Sequence, residues 1–199
     1  NLAVLILAAG QSTRFKSKKT KVLHSLAGRP VLSYVLSTAR GIGAKKVVVV
    51  RDNGLDDLKS FLEENNVSSV VQKDALGTAN AVQSAEDLLS SFNGHILILC
   101  GDAPLVREKT LSDLVNIISQ RGVTLSVVTT FMDNPFGYGR IVRDANGDFV
   151  KIVEERDATD EERKIKEINT GVICADCKWL FNKLKNVKSE NAKKEFYLT

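Results

Sequence analysis

The chain has 199 residues, of which 43% are hydrophobic and 26% charged, with 28 Lys and Arg against 24 Asp and Glu for a net charge of +4. That length suits one domain, or one domain and a fragment, and the composition excludes a disordered chain. The charge is too mild for a nucleic-acid-coating protein. The longest apolar run, Leu2 to Ala9, falls well short of the ~20 residues of a membrane helix, so neither nucleic acid nor membrane is expected as a partner. The run also lacks the basic lead and cleavage site of a signal peptide. Residue 1 is Asn rather than Met, which leaves the true start open. Three cysteines, Cys100, Cys174 and Cys177, argue for a reducing, cytoplasmic compartment rather than a disulfide scaffold. Cys174 and Cys177 form a C-x-x-C, but a zinc site wants a second ligand pair, and His24 and His95 lie far away in sequence, so reduced thiols are expected.

In chain order, Leu2–Ala9 reads as a buried strand ending at Gly10. Val31, Leu32, Val35, Leu36 and Ala39 recur at helical spacing, with Pro30 just ahead as a first-turn residue and Gly41 and Gly43 closing the helix. Val47–Val50 is a β-branched strand, Leu55–Glu64 a helix and Val70–Val71 a short strand. Thr78 is placed to cap a helix running to about Ser90. Ile96–Cys100 is a buried strand, Lys109–Gln120 a helix and Thr124–Thr130 a strand. Strands apolar on both faces and separated by helices imply a parallel sheet covered on both sides. After Pro135 the pattern changes. Gly139–Arg143 and Phe149–Glu154 flank Asp144-Ala145-Asn146-Gly147, a hairpin signal. Arg156–Lys166 is polar, Thr170–Ala175 a strand and Lys178–Lys185 a helix. The expected fold class is α/β: a Rossmann-like, mixed, mostly parallel sheet with helices on both faces and a late antiparallel hairpin. The apolar ending Phe196-Tyr197-Leu198-Thr199 reads as a cut inside a domain, so residues 1–199 are expected to be one domain shortened at its C-terminal end.

Several segments carry chemistry. Leu7, Ala8, Ala9 and Gly10 follow the first strand, where ligands of open α/β sheets bind, and the small residues Ala8, Ala9 and Gly10 let backbone N–H groups approach a ligand. Arg14 and Lys21 supply cations for phosphate oxygens. The loop matches neither G-x-G-x-x-G nor G-x-x-x-x-G-K-[ST], which disfavours a hydride-transfer enzyme and a P-loop ATPase. Cys100-Gly101-Asp102 ends a strand at the same sheet edge. A carboxylate beside a basic phosphate loop points to Mg²⁺, although Asp102 two residues before Pro104 also reads as a helix cap. Gln72, with a donor and an acceptor, suits the edge of a nucleobase, and Gly77 and Thr78 offer backbone groups at a helix start, where a routine cap is the alternative. Gly139, Glu154 and Asn169 suit the hydroxyls and amide of a sugar, or are ordinary turn residues. No nucleophile motif and no histidine pair for a metal is present.

Together these segments carry a resemblance. Leu7-Ala8-Ala9-Gly10-x-x-Thr13-Arg14 and Lys21-Val22-Leu23-His24 are similar to the signature of sugar-phosphate nucleotidyltransferases. Gln72…Leu76-Gly77-Thr78-Ala79, Gly101-Asp102-x-Pro104-Leu105, Gly137-Tyr138-Gly139-Arg140-Ile141, Ile152-Val153-Glu154…Asp157-Ala158, Glu167-Ile168-Asn169-Thr170-Gly171 and Glu195-Phe196-Tyr197-Leu198-Thr199 follow in the order of the N-acetylglucosamine-1-phosphate uridyltransferase family. The resemblance implies a nucleotide-diphospho-sugar transferase fold and Mg²⁺-dependent transfer of a uridylyl group from UTP to N-acetylglucosamine-1-phosphate, releasing pyrophosphate. It implies that Leu7, Ala8, Ala9 and Gly10 hold the nucleotide, with Cys100 and Gly101 alongside. Gln72, Gly77 and Thr78 would read the uracil, and Arg14 and Lys21 would act as the catalytic cations. Asp102 would bind Mg²⁺, and Gly139, Glu154 and Asn169 would hold the amino sugar. Ser12 stands where the family usually has Gly, Asn80 where His is common, Cys100 where Tyr is frequent and Lys194 where Gly is usual. The family's further metal-site Asn would lie beyond Thr199, as would the left-handed β-helix acetyltransferase half of its bifunctional members, and no hexapeptide repeat is present here. A homo-oligomer is expected only of a full-length protein. The competing readings are a relative with another base or sugar, a non-catalytic nucleotide-sugar-binding fragment, and a nucleic-acid binder, the last weakened because only Phe15 interleaves the basic loop.

Overall fold

The computed structural model describes residues 1–10, 17, 19–54, 56–192 and 194–199. Ten strands are assigned: β1 Leu2–Leu7, β2 Ser25–Leu26, β3 Arg29–Pro30, β4 Lys46–Asp52, β5 Ser68–Gln72, β6 His95–Cys100, β7 Leu125–Phe131, β8 Arg140–Arg143, β9 Phe149–Val153 and β10 Glu167–Asp176. The helices are α1 Val31–Gly41, α2 Asp56–Glu64, α3 Thr78–Gln83, α4 Glu86–Leu89, α5 Glu108–Arg121, α6 Asp160–Arg163 and α7 Cys177–Leu184. The strands β5, β4, β1 and β6 lie side by side and parallel.

Strand β1 shows why the sheet is buried twice. Leu2, Val4, Ile6 and Ala8 join the core beneath α1, α2 and α5, whereas Ala3, Leu5 and Ala9 join the core beneath α3, α4 and α7. A strand whose alternate side chains meet two apolar layers must be apolar throughout, as Leu2–Ala9 is. Helix α1 offers Leu32, Val35, Leu36 and Ala39 to the first layer, at the spacing that puts them on one helix face. Pro30 proves to be the residue preceding that helix, its N-cap, rather than a first-turn residue.

The antiparallel part enters through β10. Its second half pairs with β6 through Ile173–Asp176, and its first half pairs with β8 at Ile168, while β7 runs along its other edge. The segment Thr124–Thr130 is therefore a strand, as expected, but not a member of the parallel set. It runs in the parallel direction, yet β10 is inserted between it and β6. The ladder between β10 and β7 shifts register between Asn169 and Ile173, and Gly171 there adopts φ +77. The late hairpin is present as β8 and β9. Its turn is held by the Asp144 carboxylate, which accepts from the backbone N–H groups of Asn146 and Asp148 at 2.9 and 3.0 Å. The polar stretch Arg156–Lys166 contains the short helix α6, closed by a capping box between Thr159 and Glu162.

Two carboxylates staple this half together. Glu155 accepts from the Gly137 N–H at 2.9 Å and from the buried Arg140 guanidinium at 2.6 Å. Glu167 meets the Arg143 guanidinium at 2.8 Å and accepts from the Thr129 hydroxyl at 2.7 Å. The Gly137 N–H, followed by Arg140, holds Glu155 below its ordinary value of 4.5, and Arg143 followed by Thr129 does the same for Glu167. Groups with a depressed folded pKa bind protons more readily in the unfolded chain, so their stabilisation is present above about pH 4.5 and is lost as pH falls through the folded values. Thermal melts should show a Tm that is flat from neutral pH to about 5 and falls below it. A Glu155→Gln variant should start lower and fall less, and an equal acid slope in both proteins would remove Glu155 from this account.

Candidate active site

The parallel register sets Leu7 beside both Val50 and Cys100, so the chain leaves β1 and β6 at the same sheet edge. There the Ala8 N–H donates to the Val50 carbonyl at 2.8 Å and the Gly101 N–H to the Leu7 carbonyl at 2.9 Å. The fit at Gly101 is close: a Cβ on it would lie 3.2 Å from the Ala8 Cβ and the Leu7 oxygen and 3.3 Å from Val22, so these neighbours would have to shift by a few tenths of an ångström. The next residue, Asp102, meets Lys21, whose Nζ stands 2.5 Å from Asp102 Oδ2. Lys21 is positioned by one 3-10 turn, Lys21–Leu23, anchored by the buried Val22 and Leu23. Its ammonium passes over Gly10, where a Cβ would come within 3.6 Å of Nζ.

This pair remains in contact with water, with side-chain exposures of 29% for Lys21 and 44% for Asp102. An exposed ion pair contributes little stability, so arriving groups can exchange its partners at small cost. Asp102 does not cap α5, whose N-cap is Arg107. Cys100 borders the pair, and burial, then the Asp102 charge, pushes its thiol up, with Lys21 opposing. It is held as a neutral thiol rather than as a nucleophile. Cys174 and Cys177 are free and buried, pushed up by burial to about 12 and about 11.

A second group gathers at the end of β5. The Gln72 amide nitrogen donates to the Gly77 carbonyl at 3.1 Å and to Asn80 Oδ1 at 2.8 Å. Gly77, at φ +111, lies against the backbone of the chain's final segment: Phe196 donates its N–H to the Leu76 carbonyl at 2.6 Å and accepts from the Ala79 N–H at 2.9 Å. The Thr78 hydroxyl accepts from the Leu198 N–H at 3.0 Å. Thr78 is thus not the cap of a helix to Ser90. Gly77 occupies the N-cap position, and helical structure breaks after Gln83 before resuming as α4. The final segment takes up the hydroxyl that a local cap would have used, and the Ala79 N–H beside it.

The third group is Gly139, Glu154 and Asn169. The Asn169 N–H donates to the Gly139 carbonyl at 2.9 Å, and a Cβ on Gly139 would lie 3.0 Å from Glu154 Oε1. Asn169 Oδ1 accepts from the Gly171 N–H at 2.9 Å. The Thr199 hydroxyl donates to Glu154 at 2.9 Å. The final segment therefore bridges the second and third groups, and Gly171, where a Cβ would meet Cys100 Sγ at 3.4 Å, links the third to the first. Leu7, Ala8, Ala9, Gly10, Lys21, Gln72, Gly77, Thr78, Cys100, Gly101, Asp102, Gly139, Glu154 and Asn169 are all placed within these three linked groups or on the turns that build them. Arg14, with Ser12 and Phe15, lies outside the described residues. Sequence reasoning missed Asn80, Thr199 and the Phe196 backbone as parts of this arrangement. Their sequence signals were a change of residue at Asn80, the apolar run at 196–198 and the family block Glu195-Phe196-Tyr197-Leu198-Thr199.

A metal fits this edge in one way. Among the described residues no group of three or more His, Cys, Asp or Glu could hold an ion. Asp102 offers one half-exposed carboxylate beside the Lys21 ammonium, a donor set that suits Mg²⁺ carried with phosphates rather than a closed protein cage. None of the described helices is long and apolar enough to cross a membrane.

Known proteins are similar to this chain in sequence and fold. The bifunctional protein GlmU of Geobacter metallireducens is 43% identical over 200 aligned residues, covering 100% of this chain and 42% of that protein. The bifunctional protein GlmU of Pelotomaculum thermopropionicum is 44% identical over 199 residues, covering 100% of this chain and 43% of that protein. The chain thus spans less than half the length of these curated relatives. A solved structure of UDP-glucose pyrophosphorylase complexed with UDP-glucose superposes with a TM-score of 0.77 at 18% identity, covering 99% of this chain and 83% of the other, which establishes the shared fold. The sequence profile of the MobA-like NTP transferase domain matches residues 4–162. With a match over most of its length, and the small-residue turn, cation and carboxylate at one sheet edge, the chain belongs to the MobA-like NTP transferase domain family.

Proposed function

We propose that this chain carries a Mg²⁺-dependent uridylyl transfer from UTP to N-acetylglucosamine-1-phosphate, yielding UDP-N-acetylglucosamine and pyrophosphate. The observation that carries the reading is the Lys21–Asp102 pair, 2.5 Å apart, over the Gly10 turn. The sugar phosphate attacks the α-phosphorus in line and pyrophosphate departs, so the protein supplies positioning and charge rather than a covalent nucleophile. That agrees with a Cys100 thiol held neutral. Both substrates are polyanions. Lys21 is placed to turn from Asp102 to the phosphate oxygens, and the Asp102 carboxylate would hold the cation that accompanies the nucleotide. When bound, Mg²⁺ supplies charge neutralisation across the phosphates. Arg14 is assigned to the same task by family resemblance. Backbone around Leu7, Ala8, Ala9 and Gly10 cradles the nucleotide, Gln72 with Gly77 and Thr78 reads the base, and Gly139, Glu154 and Asn169 take the sugar. The likeness to the GlmU proteins supports the choice of base and sugar and cell-wall precursors as the product's destination. The free cysteines support a cytoplasmic setting.

The test is pyrophosphate release across UTP, CTP, dTTP and GTP, each with N-acetylglucosamine-1-phosphate, glucosamine-1-phosphate and glucose-1-phosphate. UTP with N-acetylglucosamine-1-phosphate should exceed every other pair by about tenfold or more in kcat/KM, since a missing hydrogen bond or misfitted group costs at least that. Equal turnover with another base or sugar would reassign the substrate, and no release with any pair would reassign the chain to binding alone.

A further inference from the structure

We propose that Asn80 is a specificity-determining positioning residue: together with the Gly77 carbonyl it locks the Gln72 amide so that only an acceptor faces the nucleotide, which selects a base carrying a ring N–H. The proposal rests on the reading of Gln72 as the residue that meets the base. A glutamine amide is ambiguous by itself, because its two ends have nearly the same shape and opposite hydrogen-bonding character. Here the ambiguity is removed. The amide nitrogen has two hydrogens and two acceptors, Gly77 O at 3.1 Å and Asn80 Oδ1 at 2.8 Å. Gly77 O is a backbone carbonyl and can only accept, so a reversed amide would set oxygen against oxygen. Gln72 is 8% exposed, leaving little room for a third orientation.

The other end is open. Gln72 Oε1 accepts from none of the described residues, and it is absent from the buried unpartnered atoms, so it keeps contact with solvent. A lone acceptor pairs with the N3–H of uracil or thymine or the N1–H of guanine. Cytosine and adenine present a lone pair at the corresponding ring nitrogen and leave both acceptors unsatisfied, which is unfavourable at a buried position. Asn80 itself needs no contact with the nucleotide. It sits in the first turn of α3, where its backbone carbonyl accepts from the Ser84 hydroxyl at 3.0 Å, so its side chain is presented from a fixed helix.

The experiment compares UTP with CTP in the full chain, by Kd with Mg²⁺ present and by kcat and KM for pyrophosphate release. Asn80→Ala should lower the UTP:CTP preference about threefold to tenfold, the worth of one hydrogen bond, with the loss in KM and Kd rather than in kcat. Asn80→Asp keeps an acceptor and should hold the preference within about twofold. Gln72→Ala is the reference. If it leaves the preference intact, the base is read elsewhere and the functional reading of Gln72 fails. If Gln72→Ala collapses the preference while Asn80→Ala does not, the base reading stands and the role of Asn80 is overturned. Loss of preference in both Asn80→Ala and Asn80→Asp overturns the acceptor argument. The unsubstituted protein gives an independent check: both Gln72 amide hydrogens should be protected from exchange before nucleotide is added, and rapid exchange of either overturns the lock.

Discussion

Asp102→Asn is expected to lower kcat by about 10²–10³-fold while leaving Tm within a few degrees. The substitution keeps shape and removes charge, so it addresses the carboxylate alone. The small stability effect follows from the exposure of the Lys21–Asp102 pair, since exposed pairs contribute at most about 1 kcal/mol. The large kinetic effect follows from placement: Asp102 is the carboxylate that follows Gly101 at the Gly10 turn, and in the proposed reading this single carboxylate would anchor the cation that accompanies the nucleotide. The Mg²⁺ concentration for half-maximal rate should rise in parallel. Lys21→Ala should cost a comparable factor, because it removes positive charge where pyrophosphate departs. The double variant should lose less than the product of the two, since each residue contacts the other at 2.5 Å. Steady-state kinetics with Mg²⁺ titrated decide the matter. An Asp102→Asn enzyme with unchanged kcat and Mg²⁺ requirement would show that the carboxylate serves only as a partner for Lys21.

Gly77→Ala should be the most damaging change outside that pair. A Cβ at this position would lie 2.5 Å from the Phe196 carbonyl oxygen and 2.9 Å from its nitrogen, both backbone atoms that cannot rotate aside. The backbone at φ +111 and ψ 179 also lies in a region open essentially to glycine alone, where strain amounts to about 1–3 kcal/mol. The alanine must push the final segment off Leu76, Ala79 and Thr78, and with it the Thr199 hydroxyl from Glu154. A Tm decrease of roughly 4–10 °C is expected for a chain of this size, together with a higher KM for both nucleotide and sugar phosphate. Gly122→Ala is the control, because Gly122 has φ +65 but nothing within 4 Å of an added Cβ. It reports backbone strain without the collision. Should Gly77→Ala prove no more harmful than Gly122→Ala, and both KM values stay unchanged, the final segment has no bearing on the site.

The sequence by itself determined the parallel half of the fold and the composition of the site. A run such as Leu2–Ala9, apolar at every position, must be covered on both faces, and β1 between two apolar layers is that arrangement. Small residues after β1, a glycine before Asp102 and a basic residue at 21 pointed to the proposed phosphate site, because backbone approach and cationic charge require those residue types. Tertiary structure decided the rest, wherever a partner is remote in the chain. Residues 21 and 102 become an ion pair only once β1 and β6 are adjacent. β7 was legible as a strand, but its neighbour was not, because β10 enters between β6 and β7 from residues 167–176. The Thr78 cap failed for the same reason. Local rules assign a hydroxyl to the nearest orphan N–H groups, but Leu198, 120 residues away, claims it instead. The orientation of the Gln72 amide is set by Gly77 and Asn80 acting together across a strand-to-helix turn. Hydrogen-bond direction at an amide depends on where its acceptors stand in space, and only the folded chain puts them there.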